Sequence, residues 1–155
     1  MKHRIRVAAI IMDRDKILLV NHIHPKTGYG WWIPPGGGLE EDDGTILDCV
    51  KREVFEETNL KIESSKIIYI REFHDLEFQK LNVEIFTLAD SFTGKPSIKN
   101  IKGKGADEQY IKKVKWFKKE DLKDLAVFPE ILKEEFWHDR AAGFPATKYL
   151  GRQSK

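Results

Sequence analysis

Apolar runs of β type occupy residues 4–12 and 16–20, and the polar triplet Asp13-Arg14-Asp15 between them gives the pattern of two strands joined by a tight turn. A second pair of such runs covers residues 66–73 and 81–88, where Ile67, Tyr69 and Arg71, and then Val83, Ile85 and Thr87, recur with period two. These predict a central hairpin. Between the two pairs the period changes. Over residues 45–58, Ile46, Leu47, Val50 and Val54 form an apolar stripe at helical spacing, so a helix is predicted to pack there on a sheet. Residues 95–105 carry Pro, Gly, Asn and Lys without periodicity and read as a mobile loop. A further strand is expected at 113–117, then helices at 119–125 and 129–139. The last has Pro129 in its first turn and Ile131, Leu132 and Phe136 on one side. No repeat or low-complexity tract interrupts the chain.

The polar side of the 45–58 helix carries the chemistry. Glu53, Glu56 and Glu57 stand at i, i+3 and i+4 and share one face, clear of the apolar stripe. Like charges so placed cost a few tenths of a kcal/mol per pair unless a cation sits among them, and hard oxygen ligands select Mg²⁺ or Mn²⁺. Three Glu alone would read as a solvated acidic face. The segment Pro34-Pro35-Gly36-Gly37-Gly38 ahead of them changes that reading: a rigid entry is followed by glycines that let backbone approach a ligand closely. A Gly-rich turn at a helix start is expected to act as an anion cradle.

Loop and acids together resemble the Nudix box: Gly, five residues, Glu, seven residues, then Arg-Glu-aliphatic-x-Glu-Glu-x-Gly-aliphatic. Arg52, Glu53, Val54, Glu56, Glu57 and Leu60 fill its second half, and counting back from Arg52 puts the first Gly at Gly38. Two positions depart. The upstream Glu falls on Gly44, and Asn59 replaces the last Gly, a mild change because Asn also adopts the left-handed conformation that ends a helix. A second alignment starts at Gly37 and takes Asp43 as the upstream acid, with one extra residue before Arg52.

The resemblance implies an α+β Nudix fold, an α/β/α sandwich around a mixed β-sheet, with residues 1–155 as a single Nudix hydrolase domain. It implies a metal-dependent hydrolase that cleaves the diphosphate linkage of a nucleoside diphosphate derivative, of nucleoside triphosphate or ADP-ribose type. Glu53, Glu56 and Glu57 would hold Mg²⁺ or Mn²⁺ with a backbone carbonyl of the Gly loop, taken as Gly37. Arg52 would orient Glu56 from i−4. The general base would come from the box or from a later loop acid, here Glu108. A non-catalytic Nudix-fold nucleotide sensor and an RNA-end pyrophosphohydrolase are the other two readings.

Substrate contacts are expected from Gly36, Gly37 and Gly38 toward phosphate, and from aromatic faces toward a nucleobase. Tyr29, Trp31 and Trp32 precede the Gly loop, and adjacent Trp residues in an extended segment point to opposite faces. Tyr29 and Trp32 are the candidates, with Phe73, His74 and Phe78 further along. His22, His24 and His74 lack the carboxylate spacing of a zinc site and read as surface or phosphate-proximal residues.

Composition adds limits. The 155 residues make one domain's worth of chain, with 41% hydrophobic and 34% charged residues as in ordinary globular proteins. A net charge of +2 with acids interspersed makes the lysines between 99 and 123 a solvated face, so strong nucleic-acid binding is not expected. The apolar run at residues 7–12 is too short for a signal peptide core or a membrane span, which by default predicts a cytoplasmic protein. Cys49, the sole cysteine, has no disulfide partner and reads as packing. A homodimer is compatible with all of this.

Overall fold

The computed structural model describes residues 1–154, and of Ala106 the backbone alone. Strand β1 (Lys2–Ile10) shows why the chain builds three layers. Val7, Ala9 and Ile11 pack against Cys49, Val50 and Val54 of helix α1 (Ile46–Thr58), while Ala8 and Ile10 join Leu132 and Phe136 on the opposite side. A strand covered on both faces needs apolar residues at every position, which is why residues 7–11 do not alternate. The result is a mixed α+β fold with helices on both sides of the sheets.

A five-stranded mixed sheet has the order β5-β1-β7-β6-β9, built from β5 (Gly36–Gly38), β7 (Lys80–Thr93), β6 (Lys61–Asp75) and β9 (Lys148–Ser154) around β1. β1 runs parallel to β7 and antiparallel to β5, β6 pairs antiparallel with β7, and β9 runs parallel to β6. A second sheet places β3 (Lys16–Ile23) between β4 (Gly30–Ile33) and β8 (Ile111–Lys118), with the short β2 (Met12–Asp13) also on β3. Helix α2 (Ala106–Tyr110) leads into β8, and α3 (Glu135–Ala141) covers the face opposite α1.

Helix α1 matches its expectation closely because its ends are locally encoded. The Thr45 hydroxyl accepts from the Asp48 N–H at 3.1 Å, and Asn59 adopts φ 65° with its N–H on the Phe55 carbonyl. The β6–β7 hairpin also forms, longer than its two apolar runs.

Four expectations are corrected. The first hairpin joins only β2 to β3, turning at Arg14 (φ 57°); β1 breaks off after Ile10 and belongs to the other sheet. The loop at residues 95–105 contains a 3-10 turn, Lys99–Ile101, whose Ile101 is buried against Val20 and Ile111. The two late helices shrink to 3-10 turns at Lys119–Asp121 and Glu130–Lys133 and to α3, with the backbone breaking at Glu134 and Pro129 standing outside as a cap. Strand β9 was not expected: as an edge strand with mostly exposed or half-buried residues and Gly151 within it, it leaves little apolar pattern.

Candidate active site

The glycine segment is an edge strand and not a helix-start turn. Gly37 pairs with Val7, and α1 begins eight residues after Gly38, so the helix N-terminus does not form the expected cradle. Glycine is required by what lies on either side. A Cβ on Gly37 would overlap the Glu53 carboxylate, one on Gly36 would overlap the Val7 carbonyl, and one on Gly38 would stand 2.7 Å from Arg4 Nε.

The three box glutamates do not converge. On a helix, residues four apart lie about 40° from each other while neighbours lie about 100° apart, and α1 is rotated so that Glu53 and Glu57 meet β5. They are 6% and 2% exposed, and Glu57 Oε1 accepts the Gly36 N–H at 3.1 Å. Glu56 turns outward, 3.5 Å from Arg52 Nη1 and 3.6 Å from Lys104 Nζ. The third carboxylate beside Glu53 and Glu57 is Asp107: one oxygen from each lies within 4.8 Å of the others. Burial lifts all three above the ordinary carboxylate range, and the charges of the others raise Glu57 further. Oxygen ligands at this spacing, mutually repelling and largely withdrawn from water, fit a hard divalent cation, whose charge would reverse that shift.

Arg52 braces the site. Its Nε and Nη2 meet Asp43 at 2.9 and 2.8 Å, Nη1 meets Glu53 at 2.9 Å, and Nη2 donates to the Gly38 carbonyl at 3.3 Å. The pairing with Glu56 exists but is the longer contact. Asp43, whose other role is to accept the Glu40 N–H at 2.8 Å, is held well below its usual range chiefly by Arg52. Asp43, the upstream acid of the second alignment of the box, is thus the acid that pairs with Arg52. Cys49 lies beneath, fully buried, its thiol pushed up to about 12 first by burial, which leaves it inert packing.

Glu108 is not brought to the carboxylates. It is exposed and accepts the Gly103 N–H at 2.9 Å, while Asp107 faces inward. Both sit in a helix of five residues, where successive side chains diverge by about 100°. Nothing in the sequence chooses between two adjacent acids; the docking of α2 on β3 and β8 does.

The tryptophans separate as an extended segment requires. Trp32 is 9% exposed and packs edge-on to Phe117 with Lys113 over its ring, at the wall of a cavity of about 530 Å³ also lined by Asn21, Lys115 and Asp121. Trp31 stacks with both Tyr29 and His22, each at 5.6 Å between centroids, and Tyr110 of α2 meets it edge-on. Tyr29 is 49% exposed. Burial, then the charge of Arg6, pushes His22 down to about 4, so it is neutral near pH 7. Phe73 and Phe78 lie at the turn end of the β6–β7 hairpin, under Arg71 and Lys80, and His74 Nε2 is buried without a partner among the described residues. Among the described residues no helix is long and apolar enough to cross a membrane.

Residues 2–137 match the family model of the NUDIX domain. Among proteins of known sequence, the chain is 28% identical over 123 residues to "Uncharacterized Nudix hydrolase YvcI" of Bacillus subtilis (strain 168), covering 77% of this chain and 69% of that protein. It is also 39% identical over 74 residues to the human "Nucleoside diphosphate-linked moiety X motif 6", covering 46% of this chain and 22% of that one. Its fold is similar to the solution structure of the E. coli ORF135 protein, with TM-score 0.70 at 22% identity over 94% of this chain and 96% of that one. It is similar too to a MutT NUDIX hydrolase from Burkholderia pseudomallei, with TM-score 0.69 at 23% identity over 86% and 98%. The chain belongs to the Nudix hydrolase family, enzymes that hydrolyse pyrophosphate bonds.

Proposed function

We propose that residues 1–155 act as one domain that hydrolyses the diphosphate linkage of a small nucleotide, a nucleoside triphosphate or an ADP-ribose type compound. The observation that carries this is the set Glu53, Glu57 and Asp107, three carboxylates converging beside a strand of three glycines. These three would hold Mg²⁺ or Mn²⁺, with Glu56 at the rim. When bound, such a cation supplies charge neutralisation at phosphate oxygens and lowers the pKa of a water ligand.

The chain's own residues do the rest. Arg52, fixed by Asp43, orients Glu53. The bare backbone of β5 lets the Glu53 carboxylate and the Arg4 guanidinium close on the strand from its two faces. Asp107 closes the carboxylate set from a different element, facing the two box glutamates. The exposed Tyr29 ring, continued by Trp31, offers a stacking face for a nucleobase. Structural neighbours named as MutT proteins, and one from Streptococcus suis named as an ADP-ribose pyrophosphatase (TM-score 0.58, 20% identity), support the substrate class at this breadth.

The test is release of phosphate or pyrophosphate from a panel of nucleoside triphosphates, ADP-ribose, dinucleoside polyphosphates and nucleotide sugars in Mg²⁺, Mn²⁺ and EDTA. Metal-dependent cleavage of one group is expected. A panel left intact in both metals, with nucleotides still raising the melting temperature, would replace this reading with a nucleotide sensor.

A further inference from the structure

One row of the five-stranded sheet sets Arg6, Glu84 and Arg71 side by side across β1, β7 and β6. Glu84 takes both guanidiniums: Arg6 Nη1 at 2.6 Å on one oxygen, Arg71 Nη2 and Nε at 2.6 and 2.8 Å on the other. Arg71 spends its remaining Nη1 on Gln153 of β9 at 2.7 Å, whereas Arg6 keeps Nε and Nη2 unspent among the described residues. Two guanidiniums on one carboxylate leave an excess positive charge in a network whose Arg71 and Glu84 are each 4% exposed. Burying such an excess is costly unless an anion arrives.

Arg4 adds to it. Two residues before Arg6 on the same side of β1, it lies over Gly38 and makes no hydrogen bond or ion pair among the described residues. Arg4 is repelled by Arg6 and attracted by Glu53 and Asp107, and Arg6 in turn acts on Glu57 and Asp107. The two arginines thus adjoin the carboxylates from the other face of the glycine strand, since Gly37 turns toward Glu53 and Gly38 toward Arg4. A cation on the carboxylates would remove their compensation of the arginines and strengthen a pull on anions that the surplus guanidinium charge already exerts without it.

We propose that Arg4 and Arg6 form an anion subsite that grips one phosphate group of the substrate across the Gly36–Gly38 strand, with Glu84, Arg71 and Gln153 as positioning residues for Arg6. This rests on the pyrophosphohydrolase reading and names the second point at which the substrate's charge is held. Glu84 is the hinge of the device: it fixes Arg6 in one rotamer while leaving two N–H groups for the ligand.

Inorganic pyrophosphate is the probe, titrated calorimetrically in EDTA so that the readout does not depend on metal or turnover. The wild-type chain is expected to bind it in a salt-sensitive way. Arg4→Ala should weaken binding by about tenfold or more, and adding Arg6→Gln should abolish it. With Mg²⁺, Arg4→Ala should raise KM more than it lowers kcat. Thermal melts show whether Arg6→Gln folds, and Arg4→Ala, at an exposed position, carries the test if it does not. Failure of the wild type to bind pyrophosphate, or binding by folded Arg4→Ala within about twofold of wild type, would overturn the subsite. Arginine-dependent pyrophosphate binding without cleavage of any nucleotide would retain the subsite and remove the hydrolase reading; normal cleavage with unchanged binding in the variants would do the opposite.

Discussion

Asp43 receives Arg52 through both carboxylate oxygens, at 2.9 Å from Nε and 2.8 Å from Nη2. This pairing favours the alignment of the box in which Asp43, with one extra residue before Arg52, stands for the upstream acid. Asp43→Asn should therefore cost about 1.5–3 kcal/mol, the range for a charge-assisted pair, and lower turnover by roughly tenfold through misorientation of Glu53. A Glu at Gly44 should not restore it, because a Cβ there stands 2.8 Å from Asp48 Oδ2. Urea unfolding and kcat of the single and double variants decide this, and an Asp43→Asn chain with wild-type stability and turnover would remove Asp43 from the site.

The carboxylate set separates four acids into two groups. Glu57→Gln and Asp107→Asn should lower turnover by about two orders of magnitude or more, while Glu108→Gln, at an exposed residue bonded to Gly103, should stay within about threefold of wild type. In EDTA, Glu57→Gln should melt no lower than wild type, since it removes a charge crowded by Glu53 and Asp107 and keeps the shape. If Glu108→Gln were the damaging change and Asp107→Asn neutral, the inward-facing acid would have been misassigned.

Crowding of the same acids gives the metal-free protein an inverted pH response. Glu53, Glu57 and Asp107 titrate above the ordinary carboxylate value in the folded chain. Between that ordinary value, about 4, and their raised values the native state binds more protons than the unfolded state, so stability falls as pH rises. Asp43 has the opposite sign: it is held below the ordinary range, and its contribution is lost only when pH drops beneath about 4. In EDTA the melting temperature should decline as pH rises from the ordinary carboxylate value through the raised range of these acids, and Mg²⁺ should reverse the decline by binding the ionised form. A metal-free melting temperature that climbs over this interval, with Mg²⁺ without effect, contradicts the arrangement.

Local chemistry explains which parts of this arrangement are legible in the sequence. Thr45 and Asn59 bound α1 because each cap acts within a turn of its own residue. The convergence of Glu53 with Glu57 but not Glu56 depends on which side of α1 meets β5, and that contact is set by Val50 and Val54 packing on β1. Helical spacing alone treats the three as equals. Asp107 and Glu108 differ only in the docking of α2, and Trp31 and Trp32 only in which sheet face points inward. The Gly36–Gly38 segment reads as a turn because glycine is rare in strands; it is a strand because Glu53 and Arg4 leave no room for any side chain.

Cys49 offers a check on burial independent of catalysis. It is fully buried beneath the Gly38 carbonyl, 3.6 Å away, with its thiol pushed up to about 12. The thiolate is the reactive form, so the native chain should resist iodoacetamide at pH 8 and react readily in urea. Rapid native labelling, followed by mass spectrometry, would mean that α1 does not pack on β1 and β5 as described.

Gly37→Ala probes the contact on which the active site depends most. The backbone at Gly37 is not in the left-handed region, so Ala is conformationally allowed and the whole effect comes from its methyl group overlapping the Glu53 carboxylate. Neither partner can yield freely. Gly37 is fixed by pairing with Val7, and Glu53 is held at 2.9 Å by Arg52, itself bound to Asp43. The strain should be divided between stability, about 1–3 kcal/mol as for overpacked cores, and displacement of Glu53, which should lower metal affinity and turnover by at least about tenfold. Gly38→Ala makes the informative comparison, because its methyl meets Arg4, a side chain with an exposed end that can swing away. It should therefore be better tolerated in folding and metal binding while weakening pyrophosphate binding in EDTA. Equal tolerance of both substitutions in kcat, Mg²⁺ affinity and pyrophosphate binding would show that neither face of the glycine strand is occupied in the way these contacts require.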